Sequence, residues 1–239
     1  MSKAPKQSES DFDRLMQAAR PAQRKLNKLL RAAATRYNGI GVYPGAKSTQ
    51  RAAEKVIEDY AGDASRLIDL ARGSIVVMSL EEVDEVRDFF SRHGRIVREK
   101  DRFAKPLKHG HRDLTLNVEL DCGHICEVQI HLLEMFAFKS ETHALYKKLR
   151  RIEENTAGLP AEERQEQAGV LTQRIQQMNI EAVRLFNQRT TGRKLQPQHP
   201  QPPKADRRTR IMLGGTYRNI RTVSLQPTKR KARRSLPRL

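Results

Sequence analysis

The 239-residue chain has no tryptophan and takes only 5% of its residues from the aromatics, so its core has to be built mainly from aliphatic side chains. Cysteine is nearly as scarce: Cys122 and Cys126 are the two, on either side of His124. Two thiols make no disulfide framework, and three ligands crowded into so short a stretch are poorly spaced for tetrahedral zinc. No uninterrupted apolar run exceeds four residues, as in Ile75 to Met78, far short of the roughly 20 needed to span a bilayer. The N-terminus opens on Ser, Lys, Pro and Gln, so no secretory signal is expected, and the sequence reads as a soluble, cytoplasmic protein with no membrane partner. Acids are in short supply as well, 28 against 46 lysines and arginines, for a net charge of +18. Most of that excess is local: residues 193–239 hold 14 basic side chains and one acid, Asp206, a net of +13. This tail opens on Gln196-Pro197-Gln198-His199-Pro200-Gln201-Pro202-Pro203 and closes on Lys229-Arg230-Lys231-Ala232-Arg233-Arg234. It is expected to be disordered, with tRNA or other RNA, DNA or an acidic protein surface as its contact; a solubilising role is the alternative.

The most ordered pattern lies mid-chain. Residues 110–120 and 124–131 alternate apolar and polar on both sides of Asp121-Cys122-Gly123, which predicts a β-hairpin with a three-residue loop. That register pairs Val118 with Cys126, Leu116 with Val128 and Leu114 with Ile130, making one face apolar. The other face carries His111, Asp113, Thr115, Asn117, Glu127, Gln129 and His131, and reads as the floor of an active site. A one-residue slip would exchange the two faces, so the register is well specified.

Helices are predicted on both sides. Phe12, Leu15, Ala19, Ala22, Leu26, Leu29 and Ala33 form an amphipathic stripe with Pro21 inside it, either a kink or a fresh start. Asn38 to Gly45 reads as a loop, then a helix from Thr49 to Tyr60 closed by Gly62, with Lys47, Arg51 and Lys55 on one flank. Ser74 to Met78 is a central strand, and Ser79 with Glu82 forms a capping box for a helix from Glu81 to His93. A short strand at Arg95 to Arg98, a cationic loop from Lys100 to His109 and the hairpin follow. Leu132 to Glu153 is helical, Gly158-Leu159-Pro160 breaks it, and Ala161 to Gln188 forms a last helix. Its seam of Ala168, Leu171, Ile175, Met178, Ala182 and Leu185 suits packing on the first helix or on a second copy of the chain. The fold class is α+β, with a small mixed sheet packed with helices.

Gly110-His111-Arg112-Asp113-Leu114 followed by Glu127-Val128-Gln129-Ile130 resembles the paired strand signature of RelA/SpoT-type nucleotide pyrophosphokinases. Three further segments resemble that family in order: Asp69-Leu70-Ala71-Arg72 at its first strand, Lys100-Asp101-Arg102-Phe103 through Pro106 at its Lys-Asp loop, and His143-Ala144-Leu145-Tyr146-Lys147 at its His-x-x-Tyr-Lys helix. The resemblance covers about Lys47 to Arg150. It implies a nucleotidyltransferase-like core at 47–153, with a helical extension and loop at 1–46, a long helix at 154–192 and the basic tail at 193–239. It also implies transfer of pyrophosphate from ATP to the 3′-hydroxyl of a purine nucleotide, giving a (p)ppGpp- or (p)ppApp-like product, in a synthetase-only architecture.

Such a transfer needs little covalent help from protein and much positioning and charge neutralisation. The resemblance assigns Asp69 and Glu127 as catalytic carboxylates and ligands of Mg²⁺, with Glu127 also helping to deprotonate the acceptor. Lys47, Arg51, Lys55, Arg72, Lys100 and Arg112 are the candidate ATP and phosphate cations. His111, Asn117, Gln129, His131, His143 and Tyr146 are the candidate acceptor contacts. The chain departs from the family at Gly45, where an Arg would stack on adenine and where Tyr43 or Arg51 are the substitutes. It departs again at His111, where a Tyr would stack on guanine, and at Asp113, Thr115 and His131. Toxin-type pyrophosphorylation of the tRNA 3′ end, and a catalytically degenerate RNA-binding module, are the alternatives.

Overall fold

The computed structural model describes residues 4–156, 158 and 161–196, with backbone alone at 161–167. Among these, a five-stranded sheet in the order β1-β2-β5-β4-β3 carries helices on its faces. The strands are β1 (Ile40–Val42), β2 (Arg72–Val77), β3 (Arg95–Asp101), β4 (Leu114–Glu119) and β5 (Ile125–Leu132). β2 runs parallel to β5 and the other pairs are antiparallel, so the sheet is mixed as expected.

The hairpin register holds residue for residue: Val118 faces Cys126, Leu116 faces Val128 and Leu114 faces Ile130. Those six side chains are all buried, with Cys126 in the core and Cys122 exposed in the turn. Regular pairing begins at Leu114, so Gly110 to Asp113 lead into the strand rather than forming its first half.

Helix α1 (Phe12–Arg36) lays Leu15, Ala19, Ala22, Leu26, Leu30 and Ala33 into the core and continues through Pro21 without a second start. Pro21 lacks an amide, which removes one ladder bond and leaves the helix continuous. Gln23 on α1 acts as a surrogate strand partner: its amide donates to the Arg72 carbonyl at 2.8 Å and accepts from the Arg72 amide at 2.9 Å. Helix α2 spans Thr49–Tyr60 with Ser48 as its N-cap, and Ala61, followed by Gly62, turns the chain through the left-handed region. Helix α3 (Leu80–His93) has the expected capping box between Ser79 and Glu82. Beyond the sheet, the segment read as one helix from Leu132 divides into α4 (Leu133–Ala137) and α5 (Lys139–Asn155), meeting at Phe138.

Helix α6 (Ala161–Arg189) buries Ile175, Met178, Ala182, Val183 and Phe186. Within the chain it packs against α4 and α5, which corrects the expectation of the first helix as the seam's partner. Strand β1 lies inside the segment expected as loop, and the cationic loop begins later than expected because β3 extends to Asp101.

The first residues of the basic segment are packed. Leu195 is buried in the main core, its amide donates to Asn187 Oδ1 at 2.8 Å, and Arg193 pairs with Glu81 and Asp84. The Pro-rich run and the basic cluster, 197–239, lie outside the described residues, as do 157, 159 and 160 of the predicted helix break. No helix among the described residues is long and apolar enough to cross a membrane.

Candidate active site

The polar face of the sheet assembles in rows, because strand residues in register stand side by side about 4.8 Å apart. One row runs Arg72, Glu127, Asn117 and Arg98 across β2, β5, β4 and β3. The next runs Ser74, Gln129, Thr115 and Lys100. His131 follows along β5, with Asp113 just ahead of β4. Four separate stretches of sequence thus converge on one patch.

Asp69 stands at the end of this patch, before β2. The Glu127 amide donates to the Ala71 carbonyl at 2.9 Å, and the Lys47 amide to the Leu70 carbonyl at 2.9 Å, which holds both residues beside Asp69. The Lys47 and Lys55 ammonium groups donate to Asp69 Oδ2 at 2.5 and 2.9 Å. Burial works against the Asp69 carboxylate, but the Lys47 hydrogen bond and the charges of both lysines hold its pKa below the usual value. Lys47 is pushed down by burial and by Lys55 and Arg72 against the pull of Asp69, while Lys55 is pulled up by Asp69 against its own burial. Glu127 goes the other way: burial and then the Asp69 charge raise it, against Lys55, Lys47 and Lys100. Gln129 donates to Glu127 Oε1 at 3.1 Å. Lys100 is lowered by burial and by the neighbouring Arg98 and Arg102.

A second buried carboxylate centre sits at Asp113. Arg102 donates to its Oδ1 at 2.5 Å and to Thr115 Oγ1 at 3.0 Å, and His111 Nε2 lies 3.5 Å from Oδ2. Despite burial, His111 and then Arg102 hold Asp113 far below the carboxylate range. His131 is almost fully buried and pushed down to about 3, so its ring is neutral; Lys139 Nζ lies 2.9 Å from its Nε2.

Of the residues expected at the site, Lys47, Lys55, Asp69, Arg72, Lys100, His111, Asn117, Glu127, Gln129 and His131 are brought onto this face. Asn117 is buried there and donates to the Ile68 carbonyl at 3.3 Å. His143, on the exposed side of α5, is lowered by partial burial and by the charges of Lys147, Lys139 and His111. Tyr146 is half exposed, with its ring edge-on to His109 at 6.0 Å. Two candidates are elsewhere. Arg51 is exposed on α2 and pairs with Glu54 at 3.7 Å. Arg112 is buried on the opposite side of the hairpin, where it donates to the carbonyls of Phe103 and Gln196 at 2.6 and 2.7 Å. Position 112 has the parity of Leu114 and Leu116, and the family motif obscured that. Near Gly45, Tyr43 is half exposed with the Arg31 guanidinium 5.0 Å above its ring. Lys139 is a site cation that sequence reasoning did not single out.

The donor set suits a hard divalent cation. Asp69 Oδ1 is buried without a hydrogen-bond partner, and Glu127, raised by burial and then by the Asp69 charge, is the second carboxylate of this region. No group of three or more His, Cys, Asp or Glu side chains suited to a metal occurs among the described residues, so a cation here needs further oxygens from substrate or water.

No protein-family model matches the chain. A curated relative, the (p)ppApp synthetase toxin Tas1 of Pseudomonas aeruginosa (strain UCBPP-PA14), is 30% identical over 134 residues, covering 56% of this chain and 30% of that protein. The chain therefore spans less than a third of that relative. Among solved structures, the type VI effector Tas1 in complex with its immunity protein superposes with a TM-score of 0.55 at 20% identity, over 73% of this chain and 96% of that one. Small alarmone synthetase 1 from Bacillus subtilis bound to its product pppGpp gives 0.55 at 20% identity, over 74% and 93%. Small alarmone synthetase 2 from the same organism gives 0.55 at 21%, over 74% and 95%. The fold is that of the RelA/SpoT-type pyrophosphokinases. Within that class the fold is similar to that of the small alarmone synthetases.

Proposed function

We propose that this protein transfers the β,γ-pyrophosphoryl group of ATP to the 3′-hydroxyl of a free purine nucleotide in the cytoplasm. The observation that carries this reading is the half-buried pair Asp69 and Glu127, ringed by Lys47, Lys55, Arg72 and Lys100 on one sheet face. The curated similarity to a (p)ppApp synthetase and the small alarmone synthetase fold support the same chemistry.

The residues divide the work by their protonation. Asp69, held ionised, and Glu127 are the side chains that would hold Mg²⁺, which when bound neutralises triphosphate charge. Lys47, Lys55, Arg72 and Lys100 bind triphosphate oxygens. Glu127, with its raised proton affinity, accepts the acceptor's 3′-hydroxyl proton as the 3′-oxygen bonds to Pβ and the bond from Pβ to the α,β-bridging oxygen breaks, releasing AMP. His111, tied to Asp113, is placed for the acceptor base, and His143 stands near it.

Incubation of the purified chain with labelled ATP and, separately, GDP, GTP, AMP, ADP, ATP and tRNA tests the proposal. A 3′-pyrophosphorylated nucleotide is the expected product, and 3′-deoxy acceptors should yield none. Absence of transfer to every acceptor would refute it. The +13 charge of residues 193–239 favours tRNA as the second acceptor to examine.

A further inference from the structure

Lys139 is the first residue of α5, where the positive end of the helix dipole disfavours a cation. The usual reason for tolerating such a charge is a carboxylate partner, and Lys139 has none among its hydrogen bonds. Its ammonium donates to Gln129 Oε1 at 2.9 Å and meets His131 Nε2 at 2.9 Å, two neutral acceptors, with the Phe136 ring 5.5 Å away. Lys47 and Lys55 share Asp69, and Arg102 is matched by Asp113. Lys139 makes no ion pair of its own among the described residues, and it stands half-buried at the second row of the sheet face, one step along β5 from Glu127.

We propose that Lys139 binds the pyrophosphoryl group during its transfer, supplying from the start of α5 a positive charge at the second row of the sheet face. The inference rests on the pyrophosphokinase reading above. Gln129 and His131 hold the ammonium in place: both are on β5, and the imidazole, buried and unprotonated, acts as a hydrogen-bond acceptor. As the 3′-oxygen bonds to Pβ and AMP departs, negative charge spreads over the equatorial oxygens, and a fixed ammonium is worth most at that point. Burial, and Arg72 after it, lower the Lys139 pKa, against the charges of Asp113 and Glu127, which favour the ammonium.

The test uses the full chain carrying Lys139→Met, which keeps an unbranched side chain without charge, and the double variant His131→Arg with Lys139→Met. In the double variant a guanidinium on β5 reaches the place the ammonium occupied, since the two side chains already touch. Lys139→Met should lower kcat about a hundredfold with KM for ATP changed only a few fold, and should weaken binding of inorganic pyrophosphate with Mg²⁺, by calorimetry, about tenfold. The double variant should recover at least about tenfold of the lost kcat. Wild-type kcat and pyrophosphate affinity in Lys139→Met would overturn the inference. So would equal losses in both variants with a lowered melting temperature, which would mark Lys139 as a packing residue. If the wild-type chain transfers pyrophosphate to no acceptor, the functional reading fails instead, and the pyrophosphate titration still decides the role of Lys139.

Discussion

At the scale of single residues, neighbouring carboxylates are driven in opposite directions. Asp69 is stabilised as an anion by two lysines, and Glu127 is pushed towards its neutral form by burial and by Asp69. Asp69→Asn and Glu127→Gln should each cut pyrophosphoryl transfer by about a hundredfold or more, with circular dichroism unchanged. Rates within a few fold of wild type would remove that side chain from the mechanism. The buried imidazoles make a separate prediction about stability. His131 is pushed down to about 3 and His124 to about 4 from an ordinary 6.5, so the unfolded chain binds protons that the folded chain does not as pH falls below 6.5. Their contribution is therefore intact above pH 6.5 and is progressively lost on acidification towards 4. Melting temperature should drop across that window, and His124→Gln, away from the catalytic face, should flatten the slope; an unaltered slope would show that His124 is not among the groups responsible. Most of these residues were legible in the sequence, because strict alternation fixes which face a strand residue occupies. Lys139 was not: its meaning appears only where the start of α5 meets Gln129 and His131 of β5. Arg112 was misplaced by motif, although its parity with Leu114 puts it on the core side.

At the scale of elements, the hairpin and the helix caps were readable because their signals are local: alternation on both arms, a Ser-x-x-Glu box, a left-handed turn after α2. Strand β1 was not, since three residues with a central glycine carry no period, and its place is set by pairing with β2. The division between α4 and α5 likewise has no glycine or proline to announce it. The N-terminal segment ahead of α1 shows the same dependence on distant partners. Gln7 is buried, donates to the carbonyls of Leu67 and Ile125 at 3.0 and 2.9 Å, and accepts from the Ile125 amide at 2.9 Å. Gln7→Ala should destabilise the chain by about 1–3 kcal/mol, because it leaves buried backbone groups at the start of β5 unpaired. Urea denaturation measures this directly, and a change below about 0.5 kcal/mol would mean that water replaces the amide without cost.

At the scale of the whole molecule, the basic segment divides differently from its composition. Residues 193–196 are tied to the fold, with Leu195 in the core, the Gln196 carbonyl receiving Arg112 and Arg193 paired with Glu81 and Asp84. A chain ended after Gln196 should keep its fold and its activity on free nucleotides, whereas one ended after Gly192 should lose stability. If residues 197–239 contact RNA, the shorter chain should bind tRNA with a much shallower dependence on salt, since each neutralised phosphate releases counterion. Equal slopes and affinities for the full chain and the chain ended after Gln196 would leave solubility or a protein partner as the tail's role.

The parallel pairing of β2 with β5 also has a consequence in time. Hairpins close between near neighbours within microseconds, but Arg72 and Glu127 meet only after α3, β3 and β4 have been laid down between them. During refolding from urea, secondary structure should therefore appear before catalytic competence. The two carboxylates come together in the step that joins the halves of the sheet, so an incompletely folded chain lacks the assembled centre that the proposed function requires.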